Sequence, residues 1–177
     1  MEKKSNQLRK LIFAALCLAL ALVLPMITAN IREIGNMLCP MHFPVFICGF
    51  ICGWQYGMVV GFIAPLLRFA IFGMPPIMPM GLSMACELAT YGLVVALLHS
   101  RLPHKKSSIY VSLLLAMVAG RIIWGIARFI FTEMMGVDFP FSAFIAGAIT
   151  TAIPGIVLQI ILIPIIVMAL EKAKVIE

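Results

Sequence analysis

Four charged side chains lie inside stretches of the chain that are otherwise apolar: Arg68, Glu87, Arg121 and Arg128. A charged group at the centre of a bilayer costs about 2.5–3.5 kcal/mol on insertion scales, so such groups face a protein interior or water and find partners. Arg121 and Arg128 are seven residues apart. That is about 700° of helical rotation, which returns them to one face, and Trp124 at the intervening turn joins them. An Arg–Trp–Arg stripe needs a polar counterpart. Glu87 is the carboxylate available inside the apolar runs, with Tyr91 one helical turn further on. Forked arginine donors suit a carboxylate or a carbonyl edge. Glu87 suits an amine, amide or amidine-like edge. A pocket for a small polar molecule is one reading. The other is a pinning ion pair between Glu87 and Arg68 or Arg128, with Arg121 reaching toward the interface. Buried pairs stabilise folds poorly, which favours the pocket.

These residues are positioned by membrane helices. The chain has 177 residues, 63% hydrophobic and 11% charged, with mean hydropathy +1.13. A soluble domain carries about 25% charged residues. The expectation is an all-α integral membrane protein over residues 1–177, a single six-helix bundle with segments near 11–29, 41–53, 58–72, 81–98, 109–133 and 141–170. The second segment is short for a full span. Gly53 to Gly57 reads as a turn carrying Trp54 and Tyr56, and Pro25 should kink the end of the first segment. No cleavable signal pattern is expected in the first segment.

Of the 13 Lys and Arg, Lys3, Lys4, Arg9, Lys10, Arg101, Lys105, Lys106, Lys172 and Lys174 fall on one side of such a bundle. Arg32 is the cation of the opposite loops. Basic loops stay inside, so both termini are expected to be cytoplasmic. The net charge of +6 thus reflects topology and not nucleic-acid binding. With that orientation the charged residues lie mostly in the outer half, beneath a loop carrying Asn30, Arg32, Glu33 and Asn36 and beside Thr150 and Thr151 of the last segment. His42 begins the second segment and reads as interfacial, with a ligand role as the alternative.

Other chemistry has weak support. Cys48 and Cys52 are one turn apart but lack further ligands at metal spacing, so the cysteines read as packing residues and no metal or cofactor is expected. No phosphate-binding G-x-x-x-x-G-K-[ST] motif is present. The Ser within Gly81-Leu-Ser-Met-Ala85 fails the G-x-S-x-G spacing. An intramembrane enzyme using Glu87, either a glutamate-type protease or a lipid-modifying enzyme, remains the alternative to a binding subunit. Ala15 and Ala19 form a small-residue face, suited to packing within the chain or to a second subunit.

Two patterns give the chain a resemblance to the substrate-binding S components of energy-coupling factor (ECF) vitamin transporters. One is Ala15-x-x-x-Ala19. The other is Pro40-Met-His-Phe-Pro-Val-Phe-Ile-Cys-Gly-Phe-Ile-Cys-Gly-Trp-Gln-Tyr-Gly-Met-Val-Val-Gly61, similar to a stretch of the riboflavin/pantothenate-type group. Trp54-Gln55 departs from that group's Pro-Lys. The resemblance implies a bacterial plasma-membrane subunit without its own ATPase. It would bind a vitamin-like molecule from outside through Arg121, Arg128, Glu87, Trp124, Tyr91, Arg68, Asn36 and Thr150. It would dock through Ala15 and Ala19 on a transmembrane scaffold driven by two ATPase subunits, and topple to release substrate inside. Pantothenate fits the arginine excess, a queuine-like deazaguanine fits Glu87 with an aromatic ring, and riboflavin or a pyridoxine-type ring are further options.

Overall fold

The computed structural model describes residues 2–28, 38–103, 105–137, 140–147 and 152–173. The described residues are helical almost throughout: α1 (Glu2–Thr28), α2 (His42–Cys52), α3 (Trp54–Phe72), α4 (Leu82–Arg101), α5 (Lys106–Met134), the short α6 (Phe141–Ile145) and α7 (Ile153–Lys172). Five stretches are long and apolar enough to cross a membrane, built on α1, α3, α4, α5 and α7. This is a multi-pass architecture in which exposed Leu, Ile, Val and Phe side chains form the lipid-facing surface.

The expected six spans become five long helices and a short one. α2 has 11 residues, about 16 Å against a hydrocarbon core of about 30 Å. It is apolar all round and buried on nearly every side, as such a helix must be. α1, α3, α4 and α7 surround it. Val45, Phe46 and Cys48 are completely enclosed, and Leu88, Val95, Leu113, Ile163 and Val167 close the core around them. α2 therefore covers only about half of the membrane's depth, and one of its ends lies inside the bundle.

Two other expectations change. The turn after α2 is one residue, Gly53, at φ 91°, and Trp54 to Gly57 already belong to α3. Only glycine takes that backbone conformation at little cost, so a single residue reverses the chain. The last segment is not continuous either. Its run is divided between α6 and α7, and Pro154 stands in the first turn of α7, where its missing N–H costs nothing. Pro25 in α1 lies three residues before the helix end, and α1 extends through the polar N-terminal residues as far back as Glu2.

α3 and α4 touch backbone to backbone. A Cβ on Gly92 would overlap the Gly57 carbonyl, and one on Gly61 would overlap the Leu88 carbonyl. Small residues permit such close helix approach in membranes. The two ends of the bundle are defined by contacts. At one end Lys10 of α1 acts electrostatically on Cys52 of α2, and His99 of α4 stands 3.7 Å from Glu171 of α7. At the far end Arg68 of α3 donates to the Leu22 carbonyl of α1 at 3.1 Å. α1 and α7 thus begin and finish at the same end.

Candidate functional site

The site is built around Glu87, which α4 carries into the interior with only 1% of its surface exposed. Its Oε1 accepts the Tyr91 hydroxyl at 2.7 Å from the next turn of the same helix. Arg121 of α5 brings Nη1 to 3.0 Å of that oxygen. His42, the first residue of α2, places Nε2 at 3.5 Å, within ion-pair range but without hydrogen-bond geometry. Cys39, just before α2 at φ 48°, completes the group through a side-chain contact with Arg121. Three helices and the lead into α2 therefore converge on one carboxylate.

Helix lengths set the depth. Glu87 lies 14 residues from Arg101 and Arg121 lies 15 from Lys106, which is about 21–23 Å from the terminus-bearing end. His42 is 10 residues beyond Cys52, about 15 Å up. The cluster thus occupies mid-depth and a little beyond. The rings pack it tightly. Phe46 stacks on Tyr91 at 4.7 Å, and His42 is tilted against the same ring at 5.4 Å. Gly120 makes this possible, because a Cβ there would collide with the Tyr91 ring. The residue before Arg121 must be this small for the guanidinium to come so close to α4.

The stripe on α5 has the orientation its spacing predicts. Gly125, Ala127 and Thr132 are buried, Arg121, Trp124 and Arg128 are partly buried, and Ile122, Ile123, Ile126, Phe129 and Ile130 face outward. Arg121 is the arginine that meets Glu87. The alternative in which Arg121 reached for the interface while Arg68 or Arg128 paired with Glu87 does not match this geometry. Arg68 sits elsewhere, donating to Leu22 and lying 5.7 Å from the Phe72 ring centre. Arg128 is two turns beyond Arg121, with its carbonyl accepting the Thr132 hydroxyl. Trp124 stacks on Phe144 of α6 at 6.1 Å, and Gly147 lies against the indole. Tyr91 enters the site as a donor to Glu87. Asn36 and Thr150, with Asn30, Arg32, Glu33 and Thr151, lie outside the described residues.

His42 and Cys39 are the members that the sequence reading placed elsewhere. For His42 the structure favours the alternative of a role in the site over the interfacial reading. The overlooked signal was the length of its own helix: an apolar run too short to span begins at mid-depth. Ala15 and Ala19 are exposed on the outer face of α1, while Ala14, Cys17 and Ala21 face the core. Cys48 touches both Cys17 and Cys52, and all three are buried and free. Among the described residues no group of three or more His, Cys, Asp or Glu is placed to hold a metal ion. An apolar groove of about 350 Å³, lined by Met58, Val59, Phe62, Ile63 and Ala89, opens on the lipid-facing side and is chemically separate from the polar cluster.

A multi-pass helical protein with a buried polar cluster at mid-depth has a place where a polar molecule could be met within the membrane. Residues 9–167 match the family described as ECF transporter, substrate-specific component. The chain belongs to that family, and it is a membrane transport protein of the substrate-binding kind. No curated protein and no solved structure shows a significant match.

Proposed function

We propose that this chain captures a vitamin-like micronutrient from the side opposite its termini and hands it to a transmembrane scaffold driven by two ATPase subunits. The observation that carries this reading is the convergence of Glu87, Arg121, Tyr91 and His42 on one point at mid-depth, in a chain of a substrate-binding family. Intramembrane ionisable groups mark substrate paths far more often than they add stability. Arg121 and Glu87 form the floor of the site. Arg128 and Trp124 lie above it on the same face of α5, and Asn36 and Thr150 stay candidates from the sequence alone. The basic residues at the terminus-bearing end support a cytoplasmic orientation in a bacterial plasma membrane. The outward-facing Ala15 and Ala19 support docking over internal packing, and toppling on the scaffold follows from the family resemblance. Pantothenate, a queuine-like deazaguanine, riboflavin and a pyridoxine-type ring are the candidate substrates. No observation favours the enzyme alternative, since a carboxylate already engaged by a guanidinium and a tyrosine is poorly placed as an acid or base.

The test is mass spectrometry of the intact protein released from detergent, followed by reconstitution with scaffold and ATPase subunits. The expected result is a retained small molecule that is released in an ATP-dependent manner. A chain that converts a substrate chemically, without partners or ATP, would refute the binding-subunit reading.

A further inference from the structure

We infer that the molecule taken up here presents a carboxylate or carbonyl edge to Arg121 and carries no fixed positive charge. This rests on the substrate-binding reading above and adds the chemistry of the ligand. Hydrogen-bond supply and demand in the cluster carry it. Arg121 has about five N–H donors, Tyr91 about one, and the His42 ring about one more. Against them, Glu87 is the one buried carboxylate among the described residues. A single oxygen of that carboxylate already faces Tyr91 at 2.7 Å, Arg121 at 3.0 Å and His42 at 3.5 Å. The shortage shows at His42, which is 3% exposed and whose ring N–H finds no hydrogen-bond acceptor in the cluster. Buried polar groups in folded proteins are satisfied, so a ligand that completes this group brings acceptors.

Accessibility and charge point the same way. The Arg121 side chain keeps 17% of its surface exposed, whereas that of Glu87 keeps 2%. Of the two charged side chains, Arg121 is thus the one more accessible to a ligand. Glu87 and Arg121 cancel in charge, so no net negative charge draws a cation. A quaternary ring or an ammonium would instead face the guanidinium across a low-dielectric interior, where like charges repel strongly. An amine or amidine edge would need a free carboxylate, and Glu87 is engaged. A forked guanidinium matches the two oxygens of a carboxylate, or a carbonyl beside another acceptor.

The experiment uses the full-length protein in detergent, exposed to the small-molecule fraction of yeast extract and washed. Bound compounds are released by denaturation and identified by high-resolution mass spectrometry in both ion modes. Arg121→Lys and Arg121→Ala are run in parallel, with helicity checked by circular dichroism. The expected result is a compound enriched at least tenfold by the wild type, bearing carboxylate or carbonyl acceptors. Arg121→Lys, which keeps the charge and loses the fork, should retain at least tenfold less. An enriched compound with a fixed positive charge, or one retained equally by a folded Arg121→Lys, overturns the inference and leaves the substrate-binding reading intact. If the lysine variant unfolds, the charge and acceptor groups of the wild-type ligand decide alone. No enriched compound at all would count against the substrate-binding reading itself.

Discussion

Replacing Arg121 with methionine isolates the energetics of the polar cluster. The change keeps a flexible apolar stem and removes the charge, leaving Glu87 with only 2% of its side chain exposed and no cationic partner from α5. Breaking a buried pair from one side costs about 3–5 kcal/mol. A second route gives a similar figure. Glu87 can escape by taking up a proton, and holding a carboxylic acid of ordinary pKa near 4.3 protonated at pH 7 costs about 3.7 kcal/mol. The two values agree, so thermal unfolding at neutral pH should fall by roughly 10 °C on the scaling for soluble domains of this size. The proton route also fixes the sign of the pH dependence. The deficit shrinks by about 1.4 kcal/mol for each unit the pH is lowered toward 5. The reciprocal change, Glu87→Leu, should cost less, because Arg121 is 17% exposed and can reach toward water. The double variant should regain most of the lost stability while still failing to bind ligand, since apolar replacements of buried pairs are often neutral. The assay is unfolding followed by circular dichroism in detergent between pH 5 and 8, with ligand retention measured in parallel. A deficit below about 1 kcal/mol, or one that stays flat with pH, would refute a buried ionised Glu87 held by Arg121.

Two further predictions concern residues away from the cluster. Ala15→Trp or Ala19→Trp should leave ligand binding unchanged and stop uptake in cells carrying the scaffold and ATPases, because both alanines face outward; uptake at the wild-type rate would remove the docking role. Arg68→Gln should leave ligand affinity within about threefold, while the loss of its bond to the Leu22 carbonyl lowers stability by about 1.5–3 kcal/mol. A tenfold loss of affinity in that variant would place Arg68 back in the site.

Much of this arrangement could be read from local patterns. Hydropathy located the long helices, because each must bury or expose its apolar residues along its own length. Helical spacing alone predicted that Arg121, Trp124 and Arg128 share the inward face of α5, and the cost of burying charge predicted that Glu87 has a cationic partner. The choice of partner was not legible. Arg68 and Arg121 are equally basic, and only the packing of α3 against α1 sends one to Leu22 while Gly120 lets the other reach α4. His42 was misplaced for a related reason. Its depth depends on where α2 ends, and that depends on a one-residue reversal at Gly53, which composition does not distinguish from a longer turn. The break before Pro154 was hidden because proline is tolerated both inside a membrane helix and at its first turn.

The contact between α3 and α4 has a mechanical consequence. Where Gly57 meets Gly92 and Gly61 meets Leu88, no side chain lies between the backbones to change rotamer and absorb a displacement. The pair therefore moves as one rod. Arg68 fastens one end of that rod to α1, and Glu87 projects from its middle toward α5. A tilt imposed on the outer face of α1 then reaches the Glu87 carboxylate through the Arg68 bond and this close-packed pair. In a subunit that is proposed to turn over as a body in the membrane, the docking face and the polar floor share a single stiff part.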